Sequence, residues 1–179
     1  MVRTKLEELR QEILKYIGIP YHTNIPKIIS PDNALVGKGN AKEIALKTIE
    51  LANLENIKIV NLTPQQIYNF QKKHHLGIDC SGLVCHLLNF YFKTNLNVRQ
   101  TSADMLTSAP ISQKINIKEI KTADLIRQKN GHHLLFVIEK IGNKVIYVDS
   151  SRDKRGVRYD EFNITDKNFK HNGAFRISQ

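Results

Sequence analysis

Residues 76–88 read LGIDCSGLVCHLL, a glycine, a carboxylate, a cysteine and a small polar pair joined to an uninterrupted apolar run. The run predicts a helix from about Cys80 to about Phe92, apolar on nearly every side and therefore the buried central helix of the fold. A cysteine that only filled a core would sit as well inside the run, where Cys85 is, yet Cys80 stands where the polar segment ends. At that position the free N–H groups of the first turn and the positive end of the helix dipole stabilise a thiolate. The same N–H groups can hold the oxyanion that forms when an acyl carbon is attacked, and the small Cys-Ser-Gly segment leaves room for it.

Upstream of this helix the chain reads as helical. Residues 1–18 form an amphipathic pattern with Leu6, Leu9, Ile13, Leu14 and Ile17 on one face, ending near Gly18. The stretch 18–33, with three prolines, predicts an extended loop. Residues 40–54 are helical in pattern and a short apolar IKIV follows. A further helix has a strong start, with Thr63 as N-cap, Pro64 at the first position and Gln66 completing a capping box; it is expected to end at Gly77.

Downstream the texture changes. KINIKEI (114–120) predicts a short strand, HHLLFVIEK (132–140) and NKVIYVDSS (143–151) two strands around the turn IGN, and RGVRYDEF and GAFRIS two more. Helices first and an antiparallel sheet second is the α+β signature. At 179 residues, 41% hydrophobic and 25% charged, the chain fits one domain with a sizeable core.

No apolar stretch approaches the length of a membrane span, and the N-terminus has no signal-peptide pattern. The expected location is the cytoplasm, or outside it by a route that needs no standard signal. Two cysteines five apart on one helix point in different directions, so no disulfide is expected. The net charge of +10, from 27 basic and 17 acidic residues, favours anionic partners such as polymers or anionic surfaces. Nucleic acid is disfavoured, since the basic residues are scattered, Trp is absent and no recognition signature appears. VGKGNAK (36–42) resembles a phosphate loop but lacks its Gly-Lys-Ser/Thr ending, and reads as a glycine-rich approach to a helix. No histidine or cysteine pair has the spacing of a zinc ligand set, so no metal or other cofactor is expected.

A thiol nucleophile needs a base, and the base an orienting group. His132 and His133 open one strand of the predicted hairpin and Asp149 closes the other. Here the sequence becomes more specific. GIDCSGLV (77–84) resembles the active-site motif of the NlpC-type family of papain-like cysteine peptidases, which cleave peptide stems of bacterial cell walls. GIPY (18–21), NVRQTSADM (97–105) and ADLIRQKNGHHLLFVI (123–138) agree with further family segments in the same order, so the likeness covers most of residues 10–160.

The resemblance implies a papain-like fold in which a central helix carrying the cysteine packs on an antiparallel sheet carrying the histidine. It implies Cys80 as nucleophile, His133 as general base, and Asp149 as the third, polar residue. Asp79 and Ser81 match residues that help bind the peptide stem, and Tyr21 matches a tyrosine beside the cysteine, although a plain loop anchor fits Tyr21 as well. Only one of His132 and His133 can face Cys80. A two-residue turn at Gly142 and Asn143 would put Asp149 on the face of His132, and a three-residue turn on that of His133.

The sequence departs from the family where a Trp-Gly-Gly segment would join the tyrosine to the cysteine motif; residues 22–76 intervene instead. This helical insertion is expected near the cleft, as a lid or a new specificity wall. The expected activity is hydrolysis of an amide in a peptide or cell-wall fragment. The alternative is a catalytically silent or acyl-transferring module that binds an anionic polymer through its basic surface.

Overall fold

Helix α4 (Cys80–Phe92) starts where Asp79 holds an extended conformation and its carboxylate accepts the Gly82 N–H at 2.6 Å. That cap satisfies one of the amides a helix start leaves free. Six consecutive residues from Cys80 to Cys85 are buried, with Leu87 and Leu88, and Lys93 ends the helix in the left-handed conformation. The computed structural model to which this helix belongs describes residues 3–24, 28–153 and 155–178. Residues 25–27 of the predicted loop therefore lie outside the described residues.

Around α4 lie α1 (Lys5–Leu14), α2 (Ala41–Leu54), α3 (Pro64–Lys73) and the short α5 (Ala103–Leu106). The first three open on capping boxes, Thr4 with Glu7, Asn40 with Glu43, and Thr63 with Gln66. Leu9 and Ile13 of α1 are buried, but Leu14 and Ile17 are exposed, contrary to the face read from the sequence. The helix stops at Leu14, so the 3.6-residue period lapses and Tyr16 takes the interior position instead.

Helix α3 likewise ends before the expected Gly77. His75 adopts φ 58°, its N–H bonds to Lys72 O at 3.2 Å, and the Leu76 N–H reaches back to Gln71 O at 2.9 Å. This is a six-to-one helix stop with histidine in the left-handed place that glycine usually fills. Gly77 serves a different need. A side chain there would meet the Pro20 carbonyl and His22 Cβ, because the chain around Tyr21 runs alongside Ile78 as a parallel bridge.

Among the described residues six strands form one sheet in the order β1-β6-β2-β3-β4-β5, every pair antiparallel. They are β1 (Ser112–Ile115), β2 (Leu125–Gln128), β3 (His133–Ile141), β4 (Lys144–Ser151), β5 (Gly156–Asn163) and β6 (Gly173–Ile177). The fold is thus α+β, as the sequence predicts. KINIKEI is strand only at its start, since Asn116 caps a 3-10 turn over Ile117–Glu119. Strand β2, which stands out in no sequence pattern, fills the place between β3 and β6.

Alternation along β3 divides the core. Leu134, Phe136 and Ile138 join Leu83, Val84, Leu87 and Leu88 on the helix side. Leu135 and Val137 face the other way, with Ile126, Val145, Tyr147 and Phe162. Phe169, from the connection after β5, stacks on Phe162 with ring centroids 3.5 Å apart. Among the described residues no helix is long and apolar enough to cross a membrane.

Candidate active site

The hairpin of β3 and β4 decides which histidine meets Asp149. Ile141 pairs with Lys144, so the turn has two residues, the case that would turn Asp149 toward His132. A bulge between Val137 and Glu139 adds one residue to β3, however, and beyond it Phe136 pairs with Val148. One extra residue reverses the parity of every side chain past it. His133 consequently meets Asp149, Nε2 to Oδ2 at 2.8 Å, with both residues buried. The ring of His132 is exposed, and its carbonyl lies 3.9 Å from Cys80 Sγ.

With Nε2 engaged by Asp149, Nδ1 is the nitrogen that remains for Cys80. Burial opposes the charged form of His133, yet the hydrogen bonds to Asp149 and Cys80 and their charges outweigh it, and its pKa is pushed up to about 9. His133 is therefore held as imidazolium at neutral pH. Asp149 Oδ1 is buried without a hydrogen-bond partner among the described residues, which leaves His133 as the direct partner of this carboxylate.

At the start of α4, Asp79 takes the Gly82 N–H with its carboxylate and the Leu83 N–H with its carbonyl. The amides of Cys80 and Ser81 are left without a partner among the described residues. Tyr21 stands near: its phenol pKa is raised by burial first, and further by the negative charges of Cys80 and Asp79. It thus remains a neutral hydrogen-bond donor at physiological pH. Its backbone neighbours also tie the loop to α4, since Ile78 N–H bonds to Pro20 O and His22 N–H to Ile78 O. Tyr21 thus lines the cleft while its neighbours anchor the loop.

These residues border a cleft of about 270 Å³ lined by Tyr21, Thr23, Lys38, Asp79, Cys80 and Ser81, together with Thr101–Asp104 and Gly131–His132. Within NVRQTSADM, Thr101 lends its carbonyl to the cleft, while Arg99 bonds to Asn33 Oδ1 and to the carbonyls of Ser30 and Pro31, pinning segment 22–76. Asp104 pairs with Arg127.

Lys38 is the residue that sequence reading missed. Its Nζ donates to Ser81 Oγ at 2.6 Å, to Asp79 Oδ1 at 3.0 Å and to the Thr101 carbonyl at 3.1 Å. The glycine-rich VGKG is thus no mere helix approach. Gly37, at φ 74°, carries the chain close under His22, its carbonyl takes the Asp79 N–H, and the Lys38 carbonyl is held by His86 at 2.9 Å. The two glycines around a single lysine were the signal available.

Cys80 and Cys85 are both free, and among the described residues no group of three His, Cys, Asp or Glu is placed to hold a metal. No protein-family model matches the chain, and no curated protein matches it.

Proposed function

We propose that this chain is a papain-like cysteine hydrolase of the NlpC type that cleaves an amide bond in peptides, with bacterial cell-wall stem peptides as the substrate class. The observation that carries the reading is the constellation of Cys80 at a helix start, His133 beside it, and Asp149 bonded to the far nitrogen of His133. The likeness of GIDCSGLV to the family motif supports the choice of substrate.

In this reading the Cys80 sulfur attacks the acyl carbon as a thiolate paired with the His133 imidazolium. The charge that develops on the carbonyl oxygen is met by the Cys80 N–H and the Tyr21 hydroxyl. The C–N bond breaks as His133 passes its proton to the leaving amine, giving a thioester and a neutral imidazole. Water then attacks the thioester, His133 takes the water's proton, and release of the carboxylate product restores the thiolate and imidazolium. His133 begins the cycle as an acid and becomes a base only in the second half. Asp149 holds the ring and its charge through both.

The test is hydrolysis of stem peptides, followed by mass spectrometry so that transfer to an amine is distinguished from transfer to water. Cys80→Ala is expected to abolish turnover, and His133→Ala and Asp149→Asn to lower kcat by at least about a hundredfold. Turnover by Cys80→Ala equal to that of the wild type would refute the reading.

A further inference from the structure

Three acceptors converge at one wall of the cleft: the Asp79 carboxylate, Ser81 Oγ and the Thr101 carbonyl. They come from the start of α4 and from the segment before α5, and all three meet the single Lys38 nitrogen. An ammonium has three N–H donors, and Lys38 turns them on three groups at 2.6–3.1 Å, with both Asp79 carboxylate oxygens, Oδ1 at 3.0 Å and Oδ2 at 2.9 Å, in reach. Its side chain is only 12% exposed and that of Asp79 13%, so the charge pair is well shielded from water. The same side chains line the wall beside Cys80.

We propose that this is an ammonium-binding site occupied by the protein's own lysine, and that Lys38 is a specificity-determining residue. Built on the hydrolase reading above, the inference deepens it by naming the substrate class. With the acidic end of the cleft already neutralised and its acceptors taken, a substrate gains nothing there from a free α-amine and must leave its own ammonium unpaired beside Lys38. The accepted peptides are those whose amine on the acyl side is blocked, either by acylation or because the chain continues. An arriving amine would have to displace a lysine that is held rigidly. The Gly37 turn, the Asp79 N–H to Gly37 carbonyl bond at 2.9 Å and His86 on the Lys38 carbonyl fix the backbone from which the side chain extends.

The experiment compares two thiol probes, 2-aminoethyl methanethiosulfonate and its trimethylammonium analogue. Each reacts by attack of the Cys80 sulfur on the sulfenyl sulfur, forming a disulfide and expelling methanesulfinate. The two reagents carry the same charge, but only the first has N–H donors. In the wild type their Cys80 labelling rates should differ by no more than their rates with a free thiol. In Lys38→Met the vacated acceptors should favour the primary ammonium, raising the ratio by about tenfold, the equivalent of one charge-assisted hydrogen bond.

Lys38→Gln is the second variant, and the wild-type ratio can be read without either. A wild type that already favours the primary ammonium overturns the inference, as does a folded Lys38 variant whose ratio is unmoved. A matched pair of stem peptides, one N-acetylated and one with a free amine, separates the two proposals. Hydrolysis with no change of preference between wild type and Lys38→Met leaves the hydrolase reading standing and sinks the role of Lys38. A shifted probe ratio with no peptide hydrolysed by the wild type upholds the ammonium site and sinks the hydrolase.

Discussion

Cys80 and Cys85 share one helix and are both mostly buried, yet their surroundings differ in kind. Cys85 lies within the apolar run with its thiol 3.6 Å from the Leu96 carbonyl, and burial pushes its pKa up to about 11. Cys80 borders the cleft and has His133 as a charged neighbour. Iodoacetamide at pH 6 is expected to modify Cys80 and spare Cys85, which peptide mapping after a short exposure will show. Equal modification of the two would contradict the distinction. The sequence made this contrast legible because a helix start is a local feature, written in Asp79 and the small residues after it. Lys38 was illegible for the opposite reason, since its partners lie 41, 43 and 63 positions away in the chain.

Among the elements, the capped ends were the most readable. Thr63, Pro64 and Gln66 open α3 as the pattern demands, because a capping box closes within four residues. The end of the same helix was misread, because the Gly77 that looks like a stop is required by a passing chain and His75 takes the turn. Strand β2 escaped notice because it has only four residues, and its two buried ones, Leu125 and Ile126, are followed by the polar Arg127 and Gln128, so no alternation shows. The VGKG turn belongs to this scale as well. At Gly37 a β-carbon would require a left-handed alanine and would collide with the His22 carbonyl. Gly37→Ala is expected to cost roughly 2 kcal/mol in urea unfolding, a typical value for strain at such a position. Because the turn also aims Lys38, the variant should show the labelling preference of Lys38→Met; an unchanged unfolding midpoint would show that the turn is not strained by the added carbon.

For the molecule as a whole, the buried pair of His133 and Asp149 links folding to pH. The pKa of His133 rises from 6.5 in the unfolded chain to about 9 in the folded one, so the folded state binds its proton more tightly. The resulting stabilisation is fully present below pH 6.5 and is lost as pH rises through about 9. Between pH 7 and pH 10 the loss should be on the order of 2 kcal/mol. Cys85 and Tyr16, whose pKa values burial also raises, weaken the fold further in alkali. The measurement is therefore the difference between wild type and His133→Gln, which cancels those contributions. That difference should be largest below pH 6.5 and should shrink to nothing above about pH 9; a constant difference across the range would show that folding does not tighten the hold of His133 on its proton. The α+β order of elements was legible at this scale, because periodicity changes from helical to alternating after α4. The register that unites His133 with Asp149 was not, because it depends on a bulge that no residue type announces.

That bulge ties the site to a count of residues. His133 and Asp149 are 16 positions apart, and their meeting depends on how many residues separate each from the pairing of Phe136 with Val148. A residue lost between His133 and Val137 would hand Asp149 to His132, whereas loss of the bulged Ile138 would leave Phe136 opposite Val148 and the pair together. This hairpin is therefore constrained twice, in composition by the two core layers it fills and in length by the pair it brings together.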